Sequence, residues 1–250
     1  MLWRKVAEKL KGEPFRLIIP DLVGLGFSSR PPMSAHTLDH HARWMGGLLR
    51  ALELNDPLLV VQDWGGPIGV LGAVEAGLKP SGLVVLNTVL DAPREGFRPT
   101  PFHKFANAPI ISDLAFRVFG FPQNALHKVQ GDKKSIRGDV ARAYKYPLRG
   151  LANNAAPLGT ARMVPDSPAH PSVSGLTRCG EFVASLTCPS AVVWGTRDPV
   201  LGRALGRIKR LLPDAPVTET RAGHFLQEEV PGEIAEAVRL VAARGRSERD

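Results

Sequence analysis

Residues 58–70 read LLVVQDWGGPIGV, an apolar run that ends in an aspartate, a tryptophan and two glycines. The first four residues are typical of a buried strand, and the residues after the glycines are compatible with a helix. A sharp strand-to-helix turn needs small residues, because side chains there would collide with the tightly folded backbone, and Gly65 and Gly66 meet that need. The stretch therefore predicts that Asp63 lies at a tight turn, where a nucleophile is exposed.

The flanking sequence alternates between strand and helix patterns. Five short stretches are rich in β-branched or apolar residues: FRLIIPD (15–21), LLVVQD (58–63), GLVVLNT (82–88), SAVVWGT (190–196) and PVTETRA (216–222). Apolar residues at helical spacing form a stripe of Leu38, Ala42, Met45, Leu48, Leu49 and Leu52, and a second such pattern spans 231–244. Strands that alternate with helices predict an α/β fold with a mostly parallel sheet covered on both faces.

The alternation stops between GLVVLNT and SAVVWGT. About a hundred residues separate these stretches, too many for an ordinary crossover, so we expect an inserted unit. Within it, ISDLAFRVFG, KSIRGDVARAYKY and GLANNAAPLGTARMV can each be helical, and the proline-rich PDSPAHPS leads back. We therefore predict a first part of the core at 1–90, a helical cap at 91–171 and a second part of the core at 172–250.

The composition excludes several classes of protein. The net charge of +8 comes from scattered basic residues, and the small clusters HKVQGDKKSIRGD and ARGRSERD contain no aromatics, so no nucleic-acid partner is expected. No apolar run approaches the roughly 20 residues that cross a bilayer, and the start MLWRKVAEKLKG carries charges where a signal peptide is apolar. The two cysteines lack metal-ligand spacing. We expect a cytoplasmic protein without membrane contact, metal or cofactor.

Two further motifs follow the turn in a suggestive order. An acid occurs in WGTRDPVLG after one predicted strand, and a histidine occurs in RAGHFLQEE after the last. Together with QDWGG and PDLVGLGFSSRP, these motifs resemble the haloalkane dehalogenases of the α/β-hydrolase superfamily over nearly the whole chain. The resemblance implies an α/β-hydrolase core in which Asp63 is the nucleophile, His224 is the base and Asp198 orients His224.

An aspartate at the turn suits attack on a saturated carbon. A carboxylate can displace halide to give an alkyl ester on the enzyme, and water activated by neutral His224 can hydrolyse that ester. A buried Asp198 would hold the correct tautomer of His224 and stabilise the imidazolium that forms. Trp64 offers an indole N–H to the halide and a backbone N–H to an oxyanion. The implied substrate is a small apolar haloalkane, and the products are an alcohol and halide.

Two assignments have rivals. Some relatives carry the acid after the preceding strand, where Asp91 is available, but Asn87 ends that strand and the DPVLG motif favours Asp198. Dehalogenases usually add a second halide donor, either a cap tryptophan or an asparagine, and the predicted cap contains no tryptophan. Phe119 lies near that position, although a phenyl ring offers a halide only weakly polarised C–H groups.

The start of the chain departs from the family pattern, which begins with three strands and a His-Gly loop. In the family's sheet, the third of these strands joins those that FRLIIPD and LLVVQD would form. Each unsatisfied buried backbone group costs about 1–3 kcal/mol. We therefore expect a shortened version of a longer gene product, or a variant with impaired stability and activity.

Two other functions compete with dehalogenation. Epoxide hydrolases share the fold, the aspartate and the histidine, but they typically have histidine where this chain has Gln62, and they use two cap tyrosines. Tyr144 and Tyr146 are two residues apart, so on one helix they would not face the same oxygen. A non-catalytic protein that binds an apolar molecule is the other alternative, although a binding pocket does not need Asp63, Asp198 and His224 together.

Overall fold

The structure, a computed structural model, describes residues 1–93 and 101–247. Its strands are β1 (Leu58–Val61), β2 (Gly82–Val85), β3 (Ser190–Gly195) and β4 (Val217–Thr220). Its α-helices are α1 (Arg4–Lys9), α2 (Leu38–Ala51), α3 (Gly65–Ala76), α4 (Pro101–Asn107), α5 (Ile111–Asp113), α6 (Gly138–Lys145), α7 (Ala155–Arg162), α8 (Ser172–Ser185), α9 (Leu205–Leu211), α10 (Leu226–Glu229) and α11 (Pro231–Ser247). Residues 94–100 of the predicted cap and 248–250 of the basic tail lie outside the described residues.

Within the described residues, the strands form one parallel sheet in the order β1-β2-β3-β4. Successive residues of a strand point to opposite faces, and here the two faces carry separate cores. Leu83 and Val85 pack with α2, α3, α8 and α9, whereas Val84 and Leu86 pack with α1, α10 and α11. The predicted α/β fold with helices on both faces is confirmed.

The predicted strand at FRLIIPD is wrong, because no regular element occurs at 15–20. In the described part of the chain, residues 16–20 have no backbone hydrogen bond to a neighbouring strand. Leu17, Ile18 and Ile19 are 36–46% exposed. β-Branched composition favours a strand only where partners satisfy its backbone groups, and the sheet described here has β1 at its edge.

The helical pattern at 38–52 is confirmed by α2. Thr37 caps this helix by accepting a hydrogen bond from the backbone N–H of His40. Its stripe packs on α3, where a side chain at Gly72 would collide with Met45, so the two helices touch closely. Because α3 begins directly after the turn at Asp63, this contact helps to fix the orientation of that turn.

The segment between β2 and α8 is largely helical, as predicted, but its helices are shorter than their sequence patterns. We call residues 101–171 the insert. KSIRGDVARAYKY is α-helical only at α6, and ISDLAFRVFG forms α5 followed by a π-helix at Leu114–Val118. Phe116 and Leu158 belong to a small apolar cluster inside the insert. The boundaries at 91 and 171 remain a prediction.

None of the described helices is both long enough and apolar enough to span a bilayer.

Candidate active site

Asp63 lies in the tight turn between β1 and α3. Its backbone has a φ of 48°, a left-handed conformation that is uncommon for a residue with a side chain and is often found at active sites. The Asp63 N–H donates to the Asn87 carbonyl at 2.8 Å, and the Asp63 carbonyl accepts from Gly66 N–H at 2.9 Å and from the Thr88 hydroxyl at 2.6 Å. Asn87 and Thr88 lie just after β2, so the end of this neighbouring strand helps to hold the strained turn.

The two glycines after Trp64 differ in what they do. A Cβ at Gly66 would overlap the Thr88 hydroxyl and crowd Leu90, so this position requires glycine for steric reasons. A Cβ at Gly65 would meet no atom within 4 Å. The expectation that both glycines relieve crowding is therefore wrong for Gly65 and confirmed for Gly66.

His224 follows β4 and lies between the other two predicted residues. Its Nδ1 is 2.9 Å from Asp198 Oδ2, and its Nε2 is 3.9 Å from Asp63 Oδ2. The Nδ1 contact requires the tautomer that carries its proton on Nδ1, which leaves Nε2 free to accept a proton. The Gln62 amide donates to the His224 carbonyl at 3.0 Å, so the residue before Asp63 also holds the histidine backbone.

Asp198 is buried behind His224 and has hydrogen bonds to both carboxylate oxygens. Asn87 Nδ2 donates to Oδ2 at 2.8 Å, and the Val200 N–H donates to Oδ1 at 2.7 Å. The rival acid, Asp91, instead pairs with Arg207 at 2.5 Å. The structure therefore brings Asp198, and not Asp91, to His224.

The pKa values of the three residues shift in different directions. Burial raises the pKa of Asp63, and this effect outweighs the charge of His224 and the Trp64 N–H, which both lower it. Burial alone would raise the pKa of Asp198, but its hydrogen bond with His224, the charge of His224 and the hydrogen bond from Asn87 together lower it. Asp198 is therefore a stable anion.

Burial alone would lower the pKa of His224. The hydrogen bond to Asp198 and the negative charges of Asp63 and Asp198 outweigh burial, so the pKa of His224 is raised. The Asp63 side chain remains 42% accessible. The accessible part is the surface that a substrate can reach, while protein atoms surround the rest and account for the raised pKa of Asp63.

Trp64 lies directly beside Asp63. Its backbone N–H lowers the pKa of Asp63, and no hydrogen bond of its indole N–H is found among the described residues. Phe119 is 70% exposed, and no ring contact or hydrogen bond in the described part of the chain joins it to Trp64 or His224. The structure therefore does not bring Phe119 to the other predicted residues.

The two tyrosines do not converge on Asp63. The Tyr144 hydroxyl donates to the Glu228 carboxylate at 2.7 Å, while Tyr146 is 58% exposed with the Arg149 guanidinium over its ring. The two hydroxyls therefore lie in different surroundings.

Asn87 holds Asp198 across 111 residues of sequence, so no local pattern indicates this role. Its Oδ1 also accepts from the Gly195 N–H at 2.7 Å, so Asn87 ties β3 to the carboxyl end of β2. Among the described residues, no group of three or more histidine, cysteine, aspartate or glutamate side chains is arranged to hold a metal ion.

Comparison with known proteins identifies the family. A family model described as the alpha/beta hydrolase family matches residues 2–237. Haloalkane dehalogenase 1 of Mycobacterium bovis is 32% identical over 243 residues, which cover 94% of this chain and 77% of that protein. The haloalkane dehalogenase of Mycobacterium marinum is 31% identical and is covered to 78%, with 95% of this chain aligned.

Solved structures agree on the fold. The tetrameric haloalkane dehalogenase DpaA from Paraglaciecola agarilytica has a TM-score of 0.79 at 25% identity, covering 95% of this chain and 78% of that chain. The haloalkane dehalogenase DbeA from Bradyrhizobium elkani has a TM-score of 0.84 at 20% identity, covering 98% and 87%. On the family match and the identity with the mycobacterial enzymes, this chain belongs to the haloalkane dehalogenases of the α/β-hydrolase family.

Proposed function

We propose that this protein hydrolyses small apolar haloalkanes to an alcohol and halide through an alkyl ester on Asp63. The observation that carries the proposal is a carboxylate at the strand-to-helix turn that faces the free Nε2 of His224 at 3.9 Å. A serine in that position would attack carbonyl carbon, whereas a carboxylate is suited to displace halide from saturated carbon.

In the first step, an Asp63 carboxylate oxygen attacks the carbon that bears the halogen. The new carbon–oxygen bond forms as the carbon–halogen bond breaks, and the halide leaves with the bonding electrons. The protein atoms around Asp63 raise its pKa, so its carboxylate is a stronger base and a stronger nucleophile than an ordinary one. No proton moves in this step, so it does not need His224 as a base.

The departing halide needs a hydrogen-bond donor. The indole N–H of Trp64 belongs to the residue next to the nucleophile, and no hydrogen bond of it is found in the described part of the chain. We assign it as a halide donor. A second donor is not provided by Phe119, whose side chain is 70% exposed.

In the second step, water attacks the ester carbonyl of Asp63 while His224 takes its proton at Nε2. Asp198, buried behind Nδ1, stabilises the imidazolium, and the Trp64 backbone N–H donates to the oxygen that becomes negative. The ester bond then breaks, His224 gives its proton to the leaving alcohol, and the Asp63 carboxylic acid, which carries one oxygen from water, releases its remaining proton to solvent to restore the carboxylate.

The charge of Asp63 links the two steps through the pKa of His224. In the free enzyme, the negative charge of Asp63 helps to raise the pKa of His224. Alkylation removes that charge, so the pKa of His224 falls and the imidazole becomes available as a neutral base. The first step therefore prepares the base that the second step requires.

Epoxide hydrolysis is the closest alternative chemistry. It requires acids that protonate the epoxide oxygen, and the Tyr144 hydroxyl is already bound to Glu228. Tyr146 is exposed on the surface. This arrangement favours dehalogenation over epoxide opening by a tyrosine pair.

The decisive test uses a His224→Ala variant, which keeps the nucleophile but lacks the base. We expect incubation with chloro- and bromoalkanes to give an intact-mass increase equal to the alkyl group on Asp63, with stoichiometric halide release. The covalent intermediate accumulates because only the second step needs His224.

The matched control is the Asp63→Asn/His224→Ala double variant, which should gain no mass. An adduct formed only from epoxides, with the mass of a hydroxyalkyl group, would establish the alternative chemistry. If haloalkanes produced neither an adduct nor halide, the proposed function would be rejected in favour of a non-catalytic role.

A further inference from the structure

The loop that carries His224 lies against a short segment of the insert. The Val129 carbonyl accepts from the His224 N–H at 2.8 Å. The Gln130 side chain accepts from the Phe225 N–H at 2.9 Å and donates to the Phe225 carbonyl at 3.2 Å, and it donates to the Ser135 hydroxyl at 3.1 Å. The Gln130 amide therefore pairs with the Phe225 backbone much as a neighbouring strand would.

The two backbones also touch directly. A Cβ at Gly223 would collide with Val129, Gln130 and Gly131, and a Cβ at Gly131 would collide with the Arg221 carbonyl. Such approach is possible only where both chains lack side chains. Two glycines thus allow the insert to lie in van der Waals contact with the residue before His224.

A single carboxylate bridges the same two segments. Glu229 accepts from the backbone N–H groups of Gly131 at 3.1 Å and Asp132 at 2.6 Å, and from that of Gly223 at 3.0 Å. Hydrogen bonds to a charged acceptor are stronger than those between neutral groups. We call Val129, Gln130 and Glu229, with the backbone groups that they bind, the clamp.

The clamp matters because His224 lies in irregular backbone between β4 and α10. Regular hydrogen bonding does not fix such a residue, yet its ring must keep Nδ1 at Asp198 and Nε2 toward Asp63. Gln62 holds the His224 carbonyl from the core side, and the clamp holds the adjacent backbone from the insert side.

We propose that Gln130 is a positioning residue for dehalogenation: through the Phe225 backbone it fixes the orientation of His224 and thereby couples the insert to ester hydrolysis. This inference rests on the proposed function of Asp63 and His224. Gln130 touches none of the reacting atoms and carries no charge, so its effect is confined to the step that uses the base.

The test is a Gln130→Met variant, which keeps the length of the side chain and removes its hydrogen bonds. In single-turnover experiments with a bromoalkane, we expect alkylation of Asp63 at the wild-type rate. We expect hydrolysis of the ester to slow by about tenfold or more, because small misplacement of a catalytic group is costly. The alkyl-enzyme should accumulate, so kcat and KM should fall together.

A matched control is Gln123→Met, the same change at another buried glutamine of the insert. The Gln123 amide lies against the carbonyls of Gly120 and Phe121, away from the clamp. We expect this variant to leave both steps unchanged. A second clamp variant, Gln130→Asn, keeps the neutral amide on a side chain one methylene shorter, and its hydrolysis rate should lie between wild type and Gln130→Met.

The outcomes are distinguishable. If folded Gln130→Met hydrolyses its ester at the wild-type rate, or slows both steps equally, Gln130 does not position the base. If Gln130→Met does not fold, Gln130→Asn decides by the same criterion. Absence of any alkyl adduct in the His224→Ala variant would instead remove the proposed function, and with it this inference.

Discussion

The nucleophile and the base are held in place in opposite ways. Asp63 is fixed by a local turn, in which β1, Gly66 and α3 follow one another in sequence and only the end of β2 is added. His224 is fixed by residues from distant parts of the chain, including Gln62, Asp198 and Gln130. A reactive group can thus be placed by strain in its own backbone or by several remote contacts.

The difference determines how each side responds to change. Few residues can adopt the strained backbone conformation of this turn, so substitutions there should slow both chemical steps. Several hydrogen bonds hold His224, so the loss of one of them should slow mainly the second step. Asn87 joins the two sides, because its carbonyl binds the Asp63 N–H and its side chain binds Asp198.

The largest effect is expected from Asp63→Asn, which removes the nucleophile. Turnover of haloalkanes should fall to the background rate, because an amide does not displace halide. The same variant should be more stable than wild type at neutral pH. Burial raises the pKa of Asp63, so its ionised form is disfavoured in the folded state and opposes folding above that pKa.

The stability gain should therefore depend on pH. It should be complete above the folded-state pKa of Asp63 and should vanish as the pH falls below the ordinary value of 3.8, where the carboxyl is neutral in both states. Thermal denaturation of wild type and Asp63→Asn over a pH series measures it. Equal stability at every pH would contradict burial as the cause of the raised pKa.

A smaller effect is expected from Gly66→Ala, with Gly65→Ala as its matched control. The new Cβ at 66 would displace the Thr88 hydroxyl from the Asp63 carbonyl. We expect turnover to fall by about 10- to 100-fold through misplacement of the nucleophile, with alkylation and hydrolysis both affected.

Gly65→Ala should leave turnover nearly unchanged and should slightly stabilise the protein. Its Cβ meets nothing within 4 Å, and alanine favours α3 over glycine by up to about 1 kcal/mol. Measurement of both rates and both melting temperatures tests the pair. Equal losses at the two positions would show that the turn is not governed by crowding at Thr88.

The smallest effect is expected in the pKa of His224, which should differ between the free enzyme and the alkyl-enzyme. The pKa of His224 in the free enzyme, measured by NMR titration of its ring, should exceed the pKa that governs ester hydrolysis in single turnovers. Asp63 has lost its charge in the ester, so one of the contributions that raise the pKa of His224 is gone. Hydrolysis should be lost as the pH falls through the lower value. Coincidence of the two pKa values would argue against the charge-dependent order of steps.

The sequence predicts the helices and strands that depend on a local pattern of residues. β1 and α3 around Asp63 follow from an apolar run and two glycines, and α2 follows from apolar periodicity. The strand expected at 15–21 failed because a strand depends on partners that a local pattern does not contain.

The same distinction applies to the site. Sequence motifs identified Asp63, His224 and Asp198, which the structure brings together, and Trp64, which lies beside Asp63. The supporting residues were not predictable, because Asn87 and Gln130 act through contacts more than ninety residues away in sequence. Phe119 is predicted only from its position in the chain, and the structure shows this residue exposed.

The exposed residues Leu17, Ile18 and Ile19 have a consequence for how this protein behaves at high concentration. An extended apolar segment with unpaired backbone N–H and C=O groups can pair with other chains. Here Arg16 precedes the run, and Pro20 and Asp21 follow it. A charge at each end and a proline after the run oppose aggregation. The run is also shorter than the six or so residues of a steric zipper. The flanking residues thus limit this segment to weak association and oppose fibril growth.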